Sequence, residues 1–269
     1  MKNDKSISST SEELQTLQEI VSKLRAPDGC PWDRGQTAET LIPYLLEEAY
    51  EVVESIEAGN QDELKSELGD LLLHIVMQAK IAEENDDFKL ADSIHSINEK
   101  LIRRHPHVFG DNDSEIKRHE DAHRNWEKSK QDEGRQSWLD GIPKNMPALI
   151  RAQRIQEKAS KVGFDWLEVE PALEKFHEEI DELIEMWREG NHERSREELG
   201  DVFFALVNVA RIMSFDSETA LRLATDKFDA RFRALEKVFE ESKGDLLAAS
   251  LEEMDAVWDS IKHKVKYRT

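Results

Sequence analysis

The sequence predicts an all-α protein built from two tandem repeats, each a bundle of four or five helices. No segment alternates apolar and polar residues as a strand would, and nearly every apolar run follows a 3.6-residue period. A pattern of acidic residues around a Gly-Asn pair occurs twice, at positions 131 apart. The chain has 269 residues, a length typical of about two domains.

Composition limits the partners that the protein is expected to bind. The chain carries 58 acidic and 37 basic residues, a formal charge of −21, which disfavours nucleic-acid polymers and anionic membranes. Cys30 is the only cysteine, so no disulfide can form within the chain. The sequence contains neither a signal-peptide core nor an apolar run of about 18 residues. We therefore expect a soluble, cytoplasmic protein with no membrane partner.

The first repeat opens with a helix and a loop and continues as a helical hairpin. Apolar spacing predicts a helix from about Ser11 to Leu24. Two prolines and two glycines predict a loop over residues 26–37. Helices are predicted from about Thr40 to Ala58 and from about Gln61 to Glu84, with a turn at Gly59-Asn60 between them.

The second repeat contains the same hairpin, over residues 176–211, with its turn at Gly190-Asn191. Apolar residues at helical spacing, among them Trp187 and Phe203, are expected to form the buried face of the two helices. Glycines and prolines predict a linker between the repeats. The predicted organisation is a repeat over 1–130, a linker over 131–147 and a repeat over 148–269.

Four carboxylates of the second hairpin are expected to converge. Glu179 and Glu182 share one helical face as E-x-x-E, and Glu198 and Asp201 share another as E-x-x-D. An antiparallel hairpin places Glu182 opposite Glu198, and Glu179 opposite Asp201, because each pair is about equally far from the turn. Such a cluster repels itself unless a hard cation such as Mg²⁺ lies between its members.

The first repeat retains this acidic pattern and the basic and aromatic residues that follow it. A second possible metal site is therefore formed by Glu48, Glu51, Glu67 and Asp70. Further along, K-x-x-x-R and W-x-x-x-K each occur in both repeats, as Lys100 with Arg104, Lys227 with Arg231, Trp126 with Lys130, and Trp258 with Lys262.

Cations and an aromatic ring beside a metal site are what a nucleoside polyphosphate requires. Lys175 precedes Glu179 by one turn of helix. Basic groups can bind the phosphate charge that the cation leaves, and a ring can stack on a base. The candidate nucleotide-binding residues in the second repeat are Lys175, Lys227, Arg231, Trp258 and Lys262.

Five motifs together carry a family resemblance: LLEEAYEVVESI with ELGDLL, HEEIDELIEM with ELGDVF, GCPWDRGQT, KLIRRHPHVFG and KVGFDW. From about Leu14 to Lys262 the chain resembles the MazG family of nucleoside triphosphate pyrophosphohydrolases. The resemblance implies an all-α fold, usually a homodimer, that binds Mg²⁺ through E-x-x-E and E-x-x-D; Mn²⁺ is an expected substitute. It also implies attack of water at the α-phosphorus of an NTP or dNTP, which gives the monophosphate and pyrophosphate.

The same resemblance implies roles for individual residues. Glu179, Glu182, Glu198 and Asp201 correspond to metal ligands. Nucleotide contacts fall on Lys227, Arg231, Trp258 and Lys262, with Lys130 as a further candidate in the first repeat. Catalytic roles fall on Glu178, Glu179 and Lys262, and either Glu178 or Glu179 would act as the general base.

The two repeats differ most just before the E-x-x-D motif. The second repeat has Arg194 and Arg196 there, whereas the first has Glu63 and Lys65. Because additional cations favour a triphosphate, we expect the second repeat to be the catalytic one and Arg194 to contribute to nucleotide binding.

Two alternatives compete with this interpretation. Residues 119–123 spell H-E-x-x-H, the helix motif of zinc proteases, but its surroundings are almost wholly charged and no third ligand is evident. A non-catalytic helical scaffold or nucleotide sensor could also carry acidic clusters. Nucleotide binding without turnover would favour the sensor.

Overall fold

The computed structural model describes residues 9–109, 136–242 and 245–263. The chain divides into two compact units, residues 1–121 and 122–269, called here the N-terminal and C-terminal units. Within these described ranges, every regular element is a helix and no strand occurs, which confirms the predicted all-α fold class. Part of the predicted 131–147 linker lies outside them, so its bounds stay a prediction.

The N-terminal unit begins with a helix whose first turn is closed by a capping box between Ser9 and Glu12. The predicted loop over residues 26–37 contains a short helix, which starts at Pro31 because proline is favoured in a first helical turn. The helices are α1 (Thr10–Arg25), α2 (Pro31–Arg34), α3 (Ile42–Ala58), α4 (Gln61–Glu84), α5 (Leu90–Arg104) and α6 (Pro106–Phe109).

The core of this unit lies where α1 and α3 meet α4. Val21, Leu41, Val76 and Met77 are each at most 4% exposed, and partly buried leucines pack around them. Burial of these side chains supplies the main driving force for packing the helices together.

The C-terminal unit repeats the helical hairpin. Its helices are α7 (Ala148–Ser160), α8 (Val169–Arg188), α9 (His192–Ile212), α10 (Ser217–Glu241) and α11 (Leu251–Ile261). In the described part of this unit, α9 packs against α8 and α7, while α10 packs against α7 and α11.

Both hairpin turns have the same construction. Gly59 and Gly190 adopt φ values of 65° and 72°, the left-handed conformation that ends a helix without a Cβ clash. The next residue caps the following helix: the Asn60 side chain accepts from the Glu63 backbone N–H at 3.3 Å, and Asn191 accepts from Arg194 at 3.2 Å. The Gly-Asn pair therefore reverses the chain in both units.

The prediction that Trp187 and Phe203 lie buried was wrong. Trp187 is 67% exposed and Phe203 is 54% exposed, because the apolar surface of α8 and α9 is wider than the strip that packs inside the unit. Smaller residues such as Ala172 and Val207 form that inner strip. The remaining apolar residues form what we call the outer apolar face: Ile184, Trp187, Leu199, Phe203 and Leu206.

Within the ranges that the structure describes, no helix combines the length and apolar character needed to cross a bilayer.

Candidate metal and nucleotide site

Three carboxylates of the C-terminal hairpin converge. Glu179, Glu182 and Glu198 each offer an oxygen, and these oxygens lie within 4.8 Å of one another. Glu179 is only 8% exposed, whereas Glu182 is exposed to solvent. Asp201 follows Glu198 by one turn of α9 and contributes to its electrostatic environment. Three of the four carboxylates expected to converge therefore do so, and Asp201 is near enough to interact with Glu198.

The cluster perturbs its own ionisation. Lost hydration raises the pKa of Glu198, and the charges of Glu182 and Asp201 raise it further. Arg194 acts in the opposite direction and lowers the pKa, so its guanidinium is close enough to interact with the cluster. A cluster in which carboxylates raise one another's pKa favours a divalent cation between them.

Lys175 compensates the buried carboxylate. Its Nζ lies 2.8 Å from an oxygen of Glu178 and 2.8 Å from an oxygen of Glu179. The hydrogen bonds with Glu178 and Glu179 raise the pKa of Lys175, so the ammonium stays charged at neutral pH. Lys175 thus links both candidates for the general base.

A cavity of about 650 Å³ lies beside these carboxylates, enclosed by α7, α8, α9 and residues 163–166. Lys175, Glu179 and Asp201 lie on its wall. Much of the remaining wall is apolar and includes the rings of Phe164 and Trp166. Its size is typical of pockets for small organic ligands, so a carboxylate cluster and a nucleoside-sized space adjoin.

The same hairpins carry the match to a known family. The family model for the MazG nucleotide pyrophosphohydrolase domain matches residues 36–109 and again residues 168–235. The chain belongs to the MazG family. The resemblance noted in the sequence is confirmed, and the domain occurs twice, as the internal repeat predicted.

Two curated proteins match nearly the whole chain. The "Nucleoside triphosphate pyrophosphohydrolase/pyrophosphatase MazG" of Thermotoga maritima is 44% identical over 253 residues, which cover 93% of this chain and 95% of that protein. The "Nucleoside triphosphate pyrophosphohydrolase" of Escherichia coli K12 is 40% identical over 259 residues, covering 94% and 98%.

The N-terminal MazG domain also assembles its carboxylates. Glu48, Glu67 and Asp70 each place an oxygen within 4.8 Å of the others. Lost hydration and the charge of Glu51 raise the pKa of both Glu48 and Glu67. The candidate second cluster is therefore formed, with all four predicted residues interacting.

The surroundings of the two clusters differ. At the position of Lys175, the N-terminal domain has Tyr44, and Glu48 faces His74 Nε2 at 3.8 Å instead of an ammonium. At the position of Asn208 on the cavity wall, it has Met77, which is 4% exposed within the apolar core. The Met77 side chain therefore packs inside the domain, where Asn208 borders a cavity, whereas Tyr44 is 40% exposed and supplies no charge to Glu48.

The remaining predicted nucleotide contacts gather elsewhere in the C-terminal unit. A guanidinium nitrogen of Arg231 donates to the Lys262 carbonyl oxygen at 2.9 Å, and the Trp258 ring lies 5.3 Å from that of Phe228. Lys227 precedes Arg231 by one turn of α10. None of Lys227, Arg231, Trp258 and Lys262 lines the cavity, so their nucleotide contacts stay predictions.

Sequence reasoning missed four polar residues on the cavity wall: Gln156, Asp165, Asn208 and Arg211. The sequence contained a signal for one of them, Asn208. Asn208 is the only polar residue between Val202 and Ala210 and follows Asp201 by two turns on the same helical face.

Some predicted residues lie outside the described ranges. These are Trp126, Lys130 and the H-E-x-x-H residues 119–123. The nucleotide-binding role of Lys130 therefore stays a prediction.

Proposed function

We propose that the chain hydrolyses nucleoside triphosphates, both NTPs and dNTPs, to the nucleoside monophosphate and pyrophosphate. The observation that carries this proposal is the convergence of Glu179, Glu182 and Glu198 beside a nucleoside-sized cavity in a MazG domain. The names of the Thermotoga and Escherichia relatives support the same reaction class.

The donor set suits Mg²⁺, with Mn²⁺ as a possible substitute. Glu179, Glu182, Glu198 and Asp201 would hold it, since hard cations prefer carboxylate oxygens and would relieve the repulsion that raises the pKa of Glu198. When bound, such a cation neutralises phosphate charge and makes a water molecule more acidic.

The side chains around the cluster have their own tasks in this reaction. The water oxygen forms a bond to the α-phosphorus while the bond from that phosphorus to the bridging oxygen breaks, and pyrophosphate leaves. Glu178 or Glu179 accepts the water proton, and Lys175 holds both carboxylates in place. Arg194, Lys227, Arg231 and Lys262 are proposed to bind phosphate charge.

The C-terminal domain is proposed to be the catalytic copy. Its cluster adjoins the cavity and has both Lys175 and Arg194 nearby. The N-terminal cluster has Tyr44 in place of the lysine, and Met77 is packed where a nucleoside would lie. We therefore assign the N-terminal cluster a structural or regulatory cation.

The test is product release from a panel of NTPs and dNTPs with Mg²⁺, using the intact chain beside Glu198→Ala and its matched control Glu67→Ala. We expect Glu198→Ala to lower kcat by about 100-fold or more, because a metal ligand is lost, and Glu67→Ala to retain turnover. Hydrolysis in ¹⁸O-labelled water should place the label in the monophosphate, which identifies attack at the α-phosphorus.

Other outcomes have distinct meanings. Label in the pyrophosphate would contradict attack at the α-phosphorus. Equal loss in both variants would mean two sites or strong coupling between the domains. No monophosphate from any nucleotide would reject the enzyme and leave the sensor or scaffold.

We also propose a homodimer that forms through the outer apolar face. Trp187 and Phe203 on this face are each more than half exposed, and exposed aromatic residues of this kind are enriched at subunit interfaces. Sedimentation equilibrium should give twice the chain mass, and Phe203→Glu should shift the protein to monomer. Leu247→Glu is the matched control, because Leu247 is 97% exposed outside this face. A monomeric intact chain would refute the proposal.

A further inference from the structure

The cavity wall contains a buried amide with an unpaired acceptor. Gln156 is 6% exposed, and its Nε2 donates to the Phe204 carbonyl oxygen at 2.8 Å. Because a carbonyl oxygen can only accept, this bond fixes which end of the amide is nitrogen. The other end, Oε1, is buried and has no hydrogen-bond partner among the described residues. A buried polar atom left unpaired at a cavity wall requires a partner, and a ligand bound in the cavity can supply it.

A second amide on the wall has the opposite orientation. Asn208 Oδ1 accepts from Arg211 Nε at 3.0 Å and from a terminal guanidinium nitrogen at 2.7 Å. Arginine can only donate, so these bonds fix the Asn208 oxygen toward Arg211. The amide nitrogen is then the group that Asn208 offers to a ligand in the cavity that it lines.

Arg211 is itself held in place by a carboxylate. Its two terminal nitrogens donate to the two oxygens of Asp165, a bidentate pair that joins α9 to residues 163–166. The side chain of Arg211 is 12% exposed and that of Asp165 is 24% exposed. A paired and mostly buried guanidinium has little freedom to turn, so the Asn208 amide is pre-oriented.

Both amides are placed by the same stretch of α9 on the cavity wall. Phe204, whose carbonyl binds Gln156, precedes Asn208 by one turn of α9. Together they present one acceptor and one donor, and nucleobases carry such a pair on one edge: an amine beside a ring nitrogen, or a ring N–H beside a carbonyl. Asp201 lies two turns before Asn208, roughly 10 Å along the helix axis at 1.5 Å per residue, which suits a nucleoside between its α-phosphate and its base edge.

We propose that Gln156 and Asn208 together read the hydrogen-bonding edge of the nucleobase. Gln156 Oε1 accepts from a donor on the base, and the Asn208 amide nitrogen donates to the adjacent acceptor. Asp165 and Arg211 are positioning residues that act through Asn208. This inference rests on the proposed function, which places the phosphates at the carboxylates.

The experiment compares two ligands that differ in one amine. These are the α,β-methylene analogues of ATP and of purine riboside triphosphate, which resist cleavage between the α- and β-phosphorus. Purine riboside retains the ring nitrogens but lacks the amine, so it leaves Gln156 Oε1 unpaired. Calorimetric titration of the full chain with Mg²⁺ should give a Kd for the ATP analogue about 10-fold lower.

Variants distinguish the contributions of the two amides to binding. Gln156→Met should bring the ratio of the two Kd values to about one, because the acceptor is gone. Gln153→Met is the matched control: Gln153 bonds to Ser217 instead of lining the cavity, so its loss should lower stability and retain the ratio. Asn208→Leu and the isosteric Asn208→Asp should each weaken binding of both analogues about 10-fold.

The positioning role has its own readout. Arg211→Met frees the Asn208 amide to rotate and should raise the Kd of both analogues, and Arg211→Lys should restore part of the loss because it retains a donor. Equal Kd values for the two analogues in the intact chain would overturn the proposal. An unchanged ratio in Gln156→Met, or no binding of either analogue, would also overturn it. Failure of the proposed function is separate: the intact chain would bind the analogues but release no monophosphate from ATP.

Discussion

Glu179 is the one carboxylate residue that lies buried among the residues that the structure describes. A buried carboxylate is costly unless it is paired, and the partner here is Lys175 at 2.8 Å. Glu179 follows Lys175 by one turn of α8, and its oxygens reach both the lysine and the carboxylates of Glu182 and Glu198. Lys175 and a bound cation would then both compensate the negative charge of the Glu179 carboxylate.

Replacement of Lys175 by methionine should therefore lower the free energy of unfolding most when no metal is present. We expect Lys175→Met to lower the free energy of unfolding by about 1–2 kcal/mol in EDTA, because a buried carboxylate loses its partner, and Mg²⁺ to reduce the deficit. Thermal unfolding in the two buffers measures this. Lys65→Met is the matched control, since Lys65 is highly exposed and 4.0 Å from its partner Asp62. An equal deficit in both buffers would argue against a cation at the cluster.

The effect of Glu198→Gln on the melting temperature should have opposite signs in the same two buffers. Without metal it removes a charge from a repelling cluster, so we expect a higher melting temperature in EDTA. With Mg²⁺ it removes a ligand, so we expect a lower one. Asp181→Asn is a control at an exposed acidic residue of α8 and should show no reversal. A lower melting temperature in both buffers would show that Glu198 stabilises the fold in another way.

At the scale of elements, the helical hairpin is the part that sequence predicted best. Its register depends on local features: i, i+3 spacing on each helix, and a Gly-Asn pair that ends one helix and caps the next. The outer apolar face was predicted wrongly, since hydrophobic periodicity identifies an apolar surface but not what covers it. Trp187 and Phe203 satisfy the period and are nonetheless exposed.

The hairpin turn gives a matched pair of glycine substitutions. Gly190→Ala should destabilise the chain by about 1 kcal/mol, because alanine is strained at a φ of 72°. Gly200→Ala, inside α9 with open space for a Cβ, should stabilise it by about 0.5–1 kcal/mol. Denaturant unfolding of both variants measures the difference. Equal effects of the same sign would contradict the capping role of Gly190.

At the scale of the whole molecule, the chain carries two MazG domains with similar carboxylates and different surroundings. Each domain assembles three carboxylate oxygens within 4.8 Å, yet the C-terminal cluster is the one for which the structure describes an adjoining cavity that contains its residues. Two domains of the same family therefore support one proposed catalytic site and one proposed structural or regulatory site.

We expect both domains to bind a cation and only the C-terminal domain to bind the nucleotide. We expect Glu198→Ala and Glu67→Ala each to lower the number of Mn²⁺ ions bound per chain, because each removes a ligand from its own cluster. Only Glu198→Ala should weaken binding of the α,β-methylene ATP analogue. Electron paramagnetic resonance counts the ions, and calorimetry measures the nucleotide. Loss of nucleotide binding in Glu67→Ala alone would assign the site to the N-terminal domain.

The sequence by itself determined the helical class, the duplication, the hairpin turns and the convergence of the carboxylates. The turns and the convergence depend on residues within about one hairpin of each other, where helical geometry fixes the spacing. The duplication is visible in the sequence because the same pattern recurs 131 residues later. Tertiary structure decided the cavity and its polar wall. The Gln156 to Phe204 bond joins residues 48 apart, and the Arg211 to Asp165 pair joins residues 46 apart. Such contacts exist only after α7 and residues 163–166 pack onto α9, and no local period encodes that packing.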